Sequence, residues 1–334
     1  MKEETLLKVD GLRMYFNIAG KGLFGRSSAA IKAIDDVSFD ISRGETLGLV
    51  GESGSGKTTV GRAILRALKP TGGKVLFNIG DRVTDVTELS GKDLFSFRRH
   101  MQLIFQDPYS SLNPRMTVRD IIAEPLECQK YGTRDEIDAR VREVAERCKL
   151  NVEHLRRFPH AFSGGQRQRI CIARALVASP EFIVCDESVS ALDVSIQAEV
   201  INLLQDLQAE LGLTYLFIAH DLSVVAQISH RVAVMYVGRL MEFAPTESLF
   251  FAPQHPYTKA LLSAVPSVHP DHEFAPVPLD GEIPNPAAVP SGCRFRTRCP
   301  IAQDKCASEE PEWREIDQDH FVACHYAGAA NATA

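Results

Sequence analysis

The stretch GESGSGKT, residues 51–58, lies between an apolar strand-like segment (residues 45–50) and a segment with helical periodicity (residues 58–68). It matches the pattern G-x-x-x-x-G-K-[ST], in which backbone N–H groups and a helix N-terminus surround phosphate oxygens. The lysine of this pattern reaches the β- and γ-phosphates, and the final hydroxyl, here that of Thr58, binds Mg²⁺. The pattern therefore predicts a nucleoside triphosphate site built from Gly51, Ser53, Gly54, Ser55, Gly56, Lys57, Thr58 and Thr59.

A second apolar segment, FIVCD (residues 182–186), ends in Asp186 and is followed directly by Glu187. Ligands of open α/β sheets bind at the carboxyl edge of the strands, so both carboxylates are expected at that edge. Asp186 is a candidate Mg²⁺ ligand, directly or through water, and Glu187 is a candidate to orient and polarise the attacking water. Phosphoryl transfer needs mainly positioning and charge neutralisation, so these groups predict hydrolysis.

The remaining pattern predicts an α/β fold with a largely parallel sheet. Continuous apolar strands alternate with helices, which is typical of such a layer. The predicted strands are residues 5–16, 31–42, 45–50, 182–186, 214–220 and 231–237, residues 95–180 are mostly helical, and a further helix spans about 196–211. Seven prolines between residues 266 and 290 predict an extended strap, which leads to a cysteine-rich tail.

Composition excludes several classes of protein. The net charge of −6 argues against a general nucleic-acid binder. No apolar run reaches the roughly 18 residues that a membrane-spanning helix needs. The start MKEETLLKVD lacks the basic and apolar regions of a signal peptide. A soluble, cytoplasmic protein is therefore expected, with any membrane role depending on partners.

The sequence SGGQ at residues 163–166, followed by RQRICIARAL, resembles the signature sequence of ABC ATPases. Gln106 resembles the Q-loop glutamine of that family, residues 190–193 its D-loop, and His220 its switch histidine. Phe162 stands where many members have leucine. The resemblance covers residues 5–250 and implies an ABC ATPase cassette, in which a P-loop parallel-sheet core carries an antiparallel β region and an inserted helical subdomain at about 100–180.

The resemblance also implies the roles of individual residues. Two cassettes would pack head to tail, so that each ATP contacts the phosphate loop of one and the signature sequence of the other. Either Phe16, which alignment slightly favours, or Tyr15 would stack on adenine, unless the aromatic belongs to the core. Ser163, Gly165 and Gln166 would contact ATP bound to the partner cassette, and Asp193 would contact the partner itself. The implied catalytic residues are Glu187, His220 and Gln106. The implied Mg²⁺ ligands are Thr58, Gln106 and Asp186.

Sequence outside the cassette resembles the dipeptide/oligopeptide importer branch, at residues 21–26, 255–266 and 279–300. This likeness places a C-terminal extension at 251–334, after an ATPase domain at 1–250. Within that branch the chain resembles the second of the two ATPase subunits. The likeness implies a heterodimer with a related but different ATPase, two transmembrane permeases, a periplasmic or extracellular substrate-binding protein, and a peripheral location on the cytoplasmic face of the inner membrane. Nickel and glutathione importers share this extension. The alternatives are a soluble ABC ATPase acting on nucleic acid or ribosomes, and a regulatory module without turnover.

Four cysteines, with the spacing C-x5-C-x6-C-x17-C, crowd into the tail. In a reducing compartment such a cluster favours a metal over disulfides, although the spacing fits neither common zinc ribbons nor common ferredoxins. Family resemblance favours a [4Fe-4S] cluster, with Zn²⁺ or free thiols as alternatives. The predicted ligands are Cys293, Cys299, Cys306 and Cys324, with His325 as an alternate ligand and with Arg294, Arg296 and Arg298 offsetting the cluster's charge. Cys171 and Cys185 are expected to be buried small hydrophobes.

Overall fold

A computed structural model describes residues 4–17, 30–80, 82–190, 192–265 and 277–328 of the chain. The predicted loop at 21–26, the first part of the proline-rich strap and the final six residues lie outside these ranges. The chain forms two compact units, each assembled from three separate stretches. The first unit takes the described residues of Met1–Leu6, Ile41–Thr46 and Glu88–Ala219, and the second those of Leu7–Asp40, Leu47–Thr87 and His220–Ala334.

The elements follow one another along the chain. The strands are β1 (Thr5–Asn17), β2 (Ala30–Ser42), β3 (Thr46–Val50), β4 (Gly72–Ile79), β5 (Arg82–Asp85), β6 (Met101–Ile104), β7 (Phe182–Asp186), β8 (Thr214–Ile218), β9 (Arg231–Tyr236), β10 (Arg239–Pro245), β11 (Arg314–Asp317) and β12 (His320–Val322). The α-helices are α1 (Lys57–Ile64), α2 (Gly91–Phe97), α3 (Pro108–Ser111), α4 (Val118–Cys128), α5 (Arg134–Arg147), α6 (Gly164–Leu176), α7 (Val194–Leu211), α8 (Leu222–Ile228), α9 (Thr246–Phe251), α10 (Pro256–Ser263) and α11 (Asp304–Ser308).

The first unit is built on three parallel strands, β6, β7 and β8. Their register pairs Met101 with Phe182 and Asp186 with Ile218. Every residue of β7 and β8 is buried, as expected for strands covered on both faces. Helix α6 packs against α4, α5 and α7. This arrangement brings the end of β7, with its two carboxylates, to the carboxyl edge of the three strands.

The second unit contains the strand that precedes the phosphate loop. β3 pairs in parallel with β9, and β9, β10, β12 and β11 continue as antiparallel neighbours. A separate sheet has the order β2-β1-β4-β5. The β10–β12 pairing attaches the end of the chain to the strands around the phosphate loop. The C-terminal segment, defined here as residues 277–328, therefore belongs to the same compact unit as that loop, and a separate cysteine-rich extension is not supported.

Most predicted strands are confirmed within a few residues, but two helix predictions need correction. Helix α1 ends at Ile64 instead of continuing to Leu68, because Arg66 adopts a left-handed backbone (φ 53°) and its Nε donates to the Val86 carbonyl oxygen. The segment MQLI of β6 lies inside the stretch predicted to be mostly helical, and it is a strand because it pairs with β7. No described helix is long and apolar enough to cross a bilayer.

Candidate nucleotide-binding site

The phosphate loop follows β3, and its glycines are required by close packing. Gly51 has φ 144°, and a Cβ there would lie 2.1 Å from the Met235 carbonyl oxygen. Gly56 has φ 108°, and its Cβ would lie 2.2 Å from the Ala33 carbonyl oxygen. Larger residues cannot occupy either position without moving backbone. The loop is thus a fixed cradle, in which exposed Ser53 and Gly54 form the tip and Ser55 is buried.

Lys57 lies across this cradle. Its side chain is buried, and its Nζ donates hydrogen bonds to the carbonyl oxygens of Gly51 (2.7 Å) and Glu52 (3.0 Å). Gly56 is the N-cap of α1 and offers no side chain to its first turn, where half-buried Thr58 and Thr59 follow. A positive charge beside a helix N-terminus without a side-chain cap suits a phosphate group.

The first unit places Asp186 and Glu187 at the end of β7. Asp186 is 3% exposed. Glu187 has φ 47°, a left-handed conformation that is rare for a residue with a side chain, and its N–H donates to the Ile218 carbonyl oxygen at 2.9 Å. Gln106 Nε2 donates a 2.8 Å hydrogen bond to Glu187 Oε2, so the structure brings these two predicted residues together. Strained conformations of this kind cluster at functional sites.

The SGGQ segment begins helix α6. Ser163 Oγ accepts the Gln166 N–H (3.3 Å), while Gln166 Oε1 accepts the Ser163 N–H (3.0 Å), which forms a reciprocal capping box. Both side chains are exposed. Gly165 is buried, and a Cβ there would lie 2.5 Å from Ile196 Cγ2. The glycine therefore allows close contact of α6 with the start of α7.

The other predicted nucleotide contacts lie at exposed or half-buried positions. Asp193 is the exposed N-cap of α7, and His220 is exposed in the second unit. The Tyr15 hydroxyl donates to Asp35, and the Lys32 ammonium lies 5.6 Å from the centre of the Tyr15 ring. Phe16 is 38% exposed. Because Tyr15 is engaged in these contacts, Phe16 presents the more available ring of the two. Ala191, within the predicted D-loop, lies outside the described residues.

The cysteines of the C-terminal segment lie near one another without forming a ligand set. Cys293 and Cys306 are buried, and Cys299 and Cys324 are half-buried. Burial, with a smaller contribution from the three neighbouring thiols, raises the pKa of Cys293 to about 11. In the described part of the chain, however, no group of three or more His, Cys, Asp or Glu side chains is arranged to hold a metal ion. The predicted metal centre is therefore not confirmed.

Two of the three arginines predicted to offset the cluster's charge serve other carboxylates instead. Arg294 forms a buried ion pair with Asp35, and Arg298 pairs with Glu52 of the phosphate loop. A different cation, Arg314, donates to the Cys324 carbonyl oxygen at 3.2 Å. His325 Nε2 is hydrogen-bonded to the Glu309 carbonyl oxygen at 3.1 Å. Cys171 and Cys185 are buried as expected.

Sequence analysis did not predict the side chains that hold the phosphate loop from the C-terminal part of the chain. Glu52 occupies a position that the pattern leaves open, and its partners are more than 200 residues away: Tyr257 and Arg298. The signal available was the recurrence of arginine in CRFRTRC, which we interpreted as charge compensation for a metal.

Two family models match the chain. The ABC transporter model matches residues 34–190, and the model for the C-terminal region of oligopeptide/dipeptide transporters matches residues 241–306. The first match spans the phosphate loop and the end of β7. The second spans most of β10, all of α9 and α10, and three of the four clustered cysteines.

Full-length relatives and solved structures give the same family. A Brucella ovis protein named as a peptide import ATP-binding protein is 54% identical over 324 residues, covering 97% of this chain and 98% of the relative. The oligopeptide transport ATP-binding protein AppF of Bacillus subtilis is 50% identical over 326 residues, covering 97% and 98%. The ATP-binding cassette MJ0796 has been solved as a dimer in a post-hydrolysis state bound to ADP and Pi. It matches this chain with a TM-score of 0.62 and 28% identity, and the match covers 72% of this chain and 99% of MJ0796.

Proposed function

Because this chain belongs to the ABC transporter family of ATP-binding proteins, we propose that it couples ATP hydrolysis to the import of dipeptides or oligopeptides. The observation that carries the substrate class is the match to the oligopeptide/dipeptide transporter C-terminal region, together with 50% identity to AppF over nearly the whole chain. In this assignment the chain is an ATP hydrolase that acts as the motor of an importer. Residues 1–250 form its ATPase domain, with a helical subdomain at about 100–180, and residues 251–334 form the importer-type extension.

The phosphate loop residues bind the triphosphate. Backbone N–H groups at the start of α1 face the phosphate oxygens, and Lys57 neutralises charge on the β- and γ-phosphates. Phe16 stacks on adenine. Thr58, Gln106 and Asp186 would hold Mg²⁺, which would supply charge neutralisation on the phosphates.

Glu187 orients the attacking water and accepts its proton. The hydrogen bond from Gln106 fixes the position of the Glu187 carboxylate, which supports its role in orienting the water. His220 contacts the γ-phosphate. Ser163, Gly165 and Gln166 contact ATP bound to a partner cassette, and Asp193 contacts that partner. The dimer of MJ0796 supports a paired arrangement of cassettes.

The partners are a second, related ATPase, two transmembrane permeases and a substrate-binding protein outside the membrane. The chain then works at the cytoplasmic face of the inner membrane as a peripheral subunit. The name of AppF, an oligopeptide transport ATP-binding protein, supports a transport complex. Nickel and glutathione are the alternative substrates, because their importers share the same C-terminal extension.

We also propose that Cys293, Cys299, Cys306 and Cys324 take a metal, with a [4Fe-4S] cluster ahead of Zn²⁺, in a structural role. The closeness of the four thiols supports this: after burial, neighbouring cysteines help to raise the pKa of Cys293, Cys299 and Cys324, although the four are not arranged as a ligand set. Iron, acid-labile sulfide and zinc are measured on anaerobically purified chain, beside a Cys306→Ser variant. Exposed Cys128→Ser serves as the control. Metal-free wild-type chain would reject the proposal.

The function is tested on the complex isolated from membranes through a tag on this chain. We expect two permeases and a second cassette to co-purify, and we expect ATP hydrolysis in liposomes to rise with the binding protein and a mixture of dipeptides and oligopeptides. Stimulation by nickel or glutathione alone would change the substrate. A preparation that carries ribosomes or nucleic acid and no permease would overturn the transport assignment.

A further inference from the structure

The C-terminal segment holds the phosphate loop directly. The Arg298 guanidinium donates two hydrogen bonds to the Glu52 carboxylate, Nη1 to Oε2 at 2.6 Å and Nη2 to Oε1 at 3.0 Å. The Arg298 side chain is 7% exposed and that of Glu52 is 24% exposed. A two-point, charge-assisted pair of this kind fixes orientation as well as distance. Glu52 is the second residue of the loop, so the attachment acts inside the phosphate-binding sequence itself.

The same glutamate is also held through its backbone. The Glu52 N–H donates to the Tyr257 hydroxyl at 2.8 Å. Tyr257 packs against Tyr236 and Phe295, with ring centroids 4.7 and 5.3 Å away, and all three rings are fully buried. Glu52 thus rests on a close-packed aromatic base, which is rigid because buried rings have little freedom to move.

This attachment reaches the lysine of the loop. The Lys57 Nζ donates to the carbonyl oxygens of Gly51 and Glu52, the two peptide groups nearest the attachment point. A shift of Glu52 would therefore move the carbonyl groups that place the Lys57 ammonium. The position of the main phosphate-binding cation depends on how Glu52 is held.

A second arginine of the segment supports the other side of the loop. Arg294 pairs with Asp35 and donates to the Val237 carbonyl oxygen at 2.5 Å. Val237 has φ 40°, which is rare for a β-branched residue, and the next N–H, that of Gly238, donates to the Ser55 carbonyl oxygen at 2.9 Å. A strained turn persists only where the surrounding structure holds it in place. Arg294 helps to hold this turn through its hydrogen bond to the Val237 carbonyl oxygen.

We propose that Arg298 is a positioning residue for ATP binding, which neutralises Glu52 and fixes the phosphate loop from the C-terminal segment. The reason is electrostatic as well as geometric. Without Arg298, a partly buried carboxylate would remain in a loop that must accept a polyanion, and its charge would oppose the phosphates in a medium that screens poorly. The affinity of the chain for ATP is therefore set in part by residues of the importer-type C-terminal segment. This inference rests on the proposed function, since it requires the loop to bind ATP.

The test uses the full-length chain in a Glu187→Gln background, where MgATP affinity is measured by calorimetric titration without turnover. Arg298→Ala is expected to weaken MgATP binding about tenfold. Arg298→Lys keeps the charge and loses the two-point geometry, so its MgATP affinity should lie between those of the Glu187→Gln chain and Arg298→Ala. The decisive variant is Arg298→Ala with Glu52→Gln. Removing the uncompensated charge should restore the MgATP affinity to within about threefold of that of the parent, which is the chain with Glu187→Gln alone.

Arg296→Ala is the matched control, because in the described part of the chain no hydrogen bond or ion pair joins Arg296 to the phosphate loop. It should bind MgATP as the parent does. In the complex with wild-type Glu187, Arg298→Ala should raise the KM for ATP about tenfold while kcat changes less than about threefold, a split that general loss of folded protein would not give.

Unchanged MgATP affinity in folded Arg298→Ala would overturn the inference, as would a double variant no tighter than Arg298→Ala. If Arg298→Ala does not fold, Arg298→Lys and the double variant decide by the same criteria. Parent chain that binds no MgATP would instead reject the proposed function. The two failures are therefore distinguishable.

Discussion

The side-chain amide of Gln106 donates a 2.8 Å hydrogen bond to the carboxylate of Glu187, a residue 81 positions later in the sequence. Gln106 follows β6 and Glu187 follows β7, two neighbouring parallel strands, so the carboxyl edge of the sheet brings them together. The bond orients one carboxylate oxygen of Glu187, which has a left-handed backbone conformation and follows buried Asp186. On the proposed function, this pair would orient the attacking water.

Glu187→Gln should abolish hydrolysis and retain ATP binding. An amide cannot take a proton from the attacking water, whereas its size and hydrogen-bonding shape are close to those of the carboxylate. We expect ATPase activity to fall by more than about a hundredfold, with MgATP affinity within about threefold of wild type. Phosphate release by the complex and calorimetric titration measure the two quantities. Glu146→Gln, at an exposed position of α5, is the control, and near-normal turnover of the Glu187 variant would contradict the assignment.

Lys57→Ala should weaken nucleotide binding. The buried ammonium is held by carbonyl oxygens of its own loop, and in the proposed site it would supply the charge for the β- and γ-phosphates. A charge-assisted hydrogen bond of this kind contributes about 2–3 kcal/mol, which corresponds to a loss of affinity of about 30- to 150-fold. Titration with MgATP measures it, beside Lys92→Ala at an exposed position of α2. Equal affinities of the two variants would remove Lys57 from the site.

Gly165→Ala should destabilise the first unit and impair hydrolysis. The added methyl group would lie 2.5 Å from Ile196 Cγ2, so α6 and α7 would have to separate at the SGGQ segment. Overpacking of this kind costs about 1–3 kcal/mol. Ile196→Ala in the same chain removes the clashing atom and should recover most of the lost stability. Thermal unfolding of the single and double variants measures this, and a double variant no more stable than Gly165→Ala would contradict the close contact.

The parts of the fold that could be predicted from sequence are those set by local pattern. The run FIVC is apolar throughout and is followed by two acids, which identifies a buried strand and the side chains at its end. The segment MQLI of β6 is too short to show a period, and its pairing with β7 alone makes it a strand. Helix α1 ends early because Arg66 bonds to the Val86 carbonyl oxygen, a tertiary contact that no local signal reveals.

The same distinction applies to the site. Gly51 and Lys57 could be predicted for the site because the chemistry of phosphate binding needs those residue types at that spacing. The roles of Arg294 and Arg298 could not, because an arginine's partner depends on which distant acids the fold brings near it. Asp35 and Glu52 come from the opposite end of the chain. Alternation of arginine among cysteines is equally compatible with a metal site, and only the fold separates the two interpretations.

His255 should make the stability of the chain depend on pH below neutrality. Its side chain is fully buried, its Nδ1 accepts the Tyr257 N–H at the start of α10, and burial lowers its pKa from 6.5 to about 4, although Glu242 opposes this. Between these values the unfolded chain binds a proton that the folded chain does not. The contribution of neutral His255 is therefore fully present above pH 6.5 and is lost as the pH falls towards 4.

Between pH 7.5 and 5.5 this loss amounts to about 1.4 kcal/mol of unfolding free energy. His255→Asn keeps an acceptor at the N-cap of α10 and cannot titrate in this range. Urea unfolding at the two pH values measures the difference for each chain. Glu242 and its other partner His320 are present in both chains, so comparison of the two slopes isolates His255. The variant should lose about 1.4 kcal/mol less than wild type on acidification, and an identical loss in both would show that His255 is not held neutral by the fold.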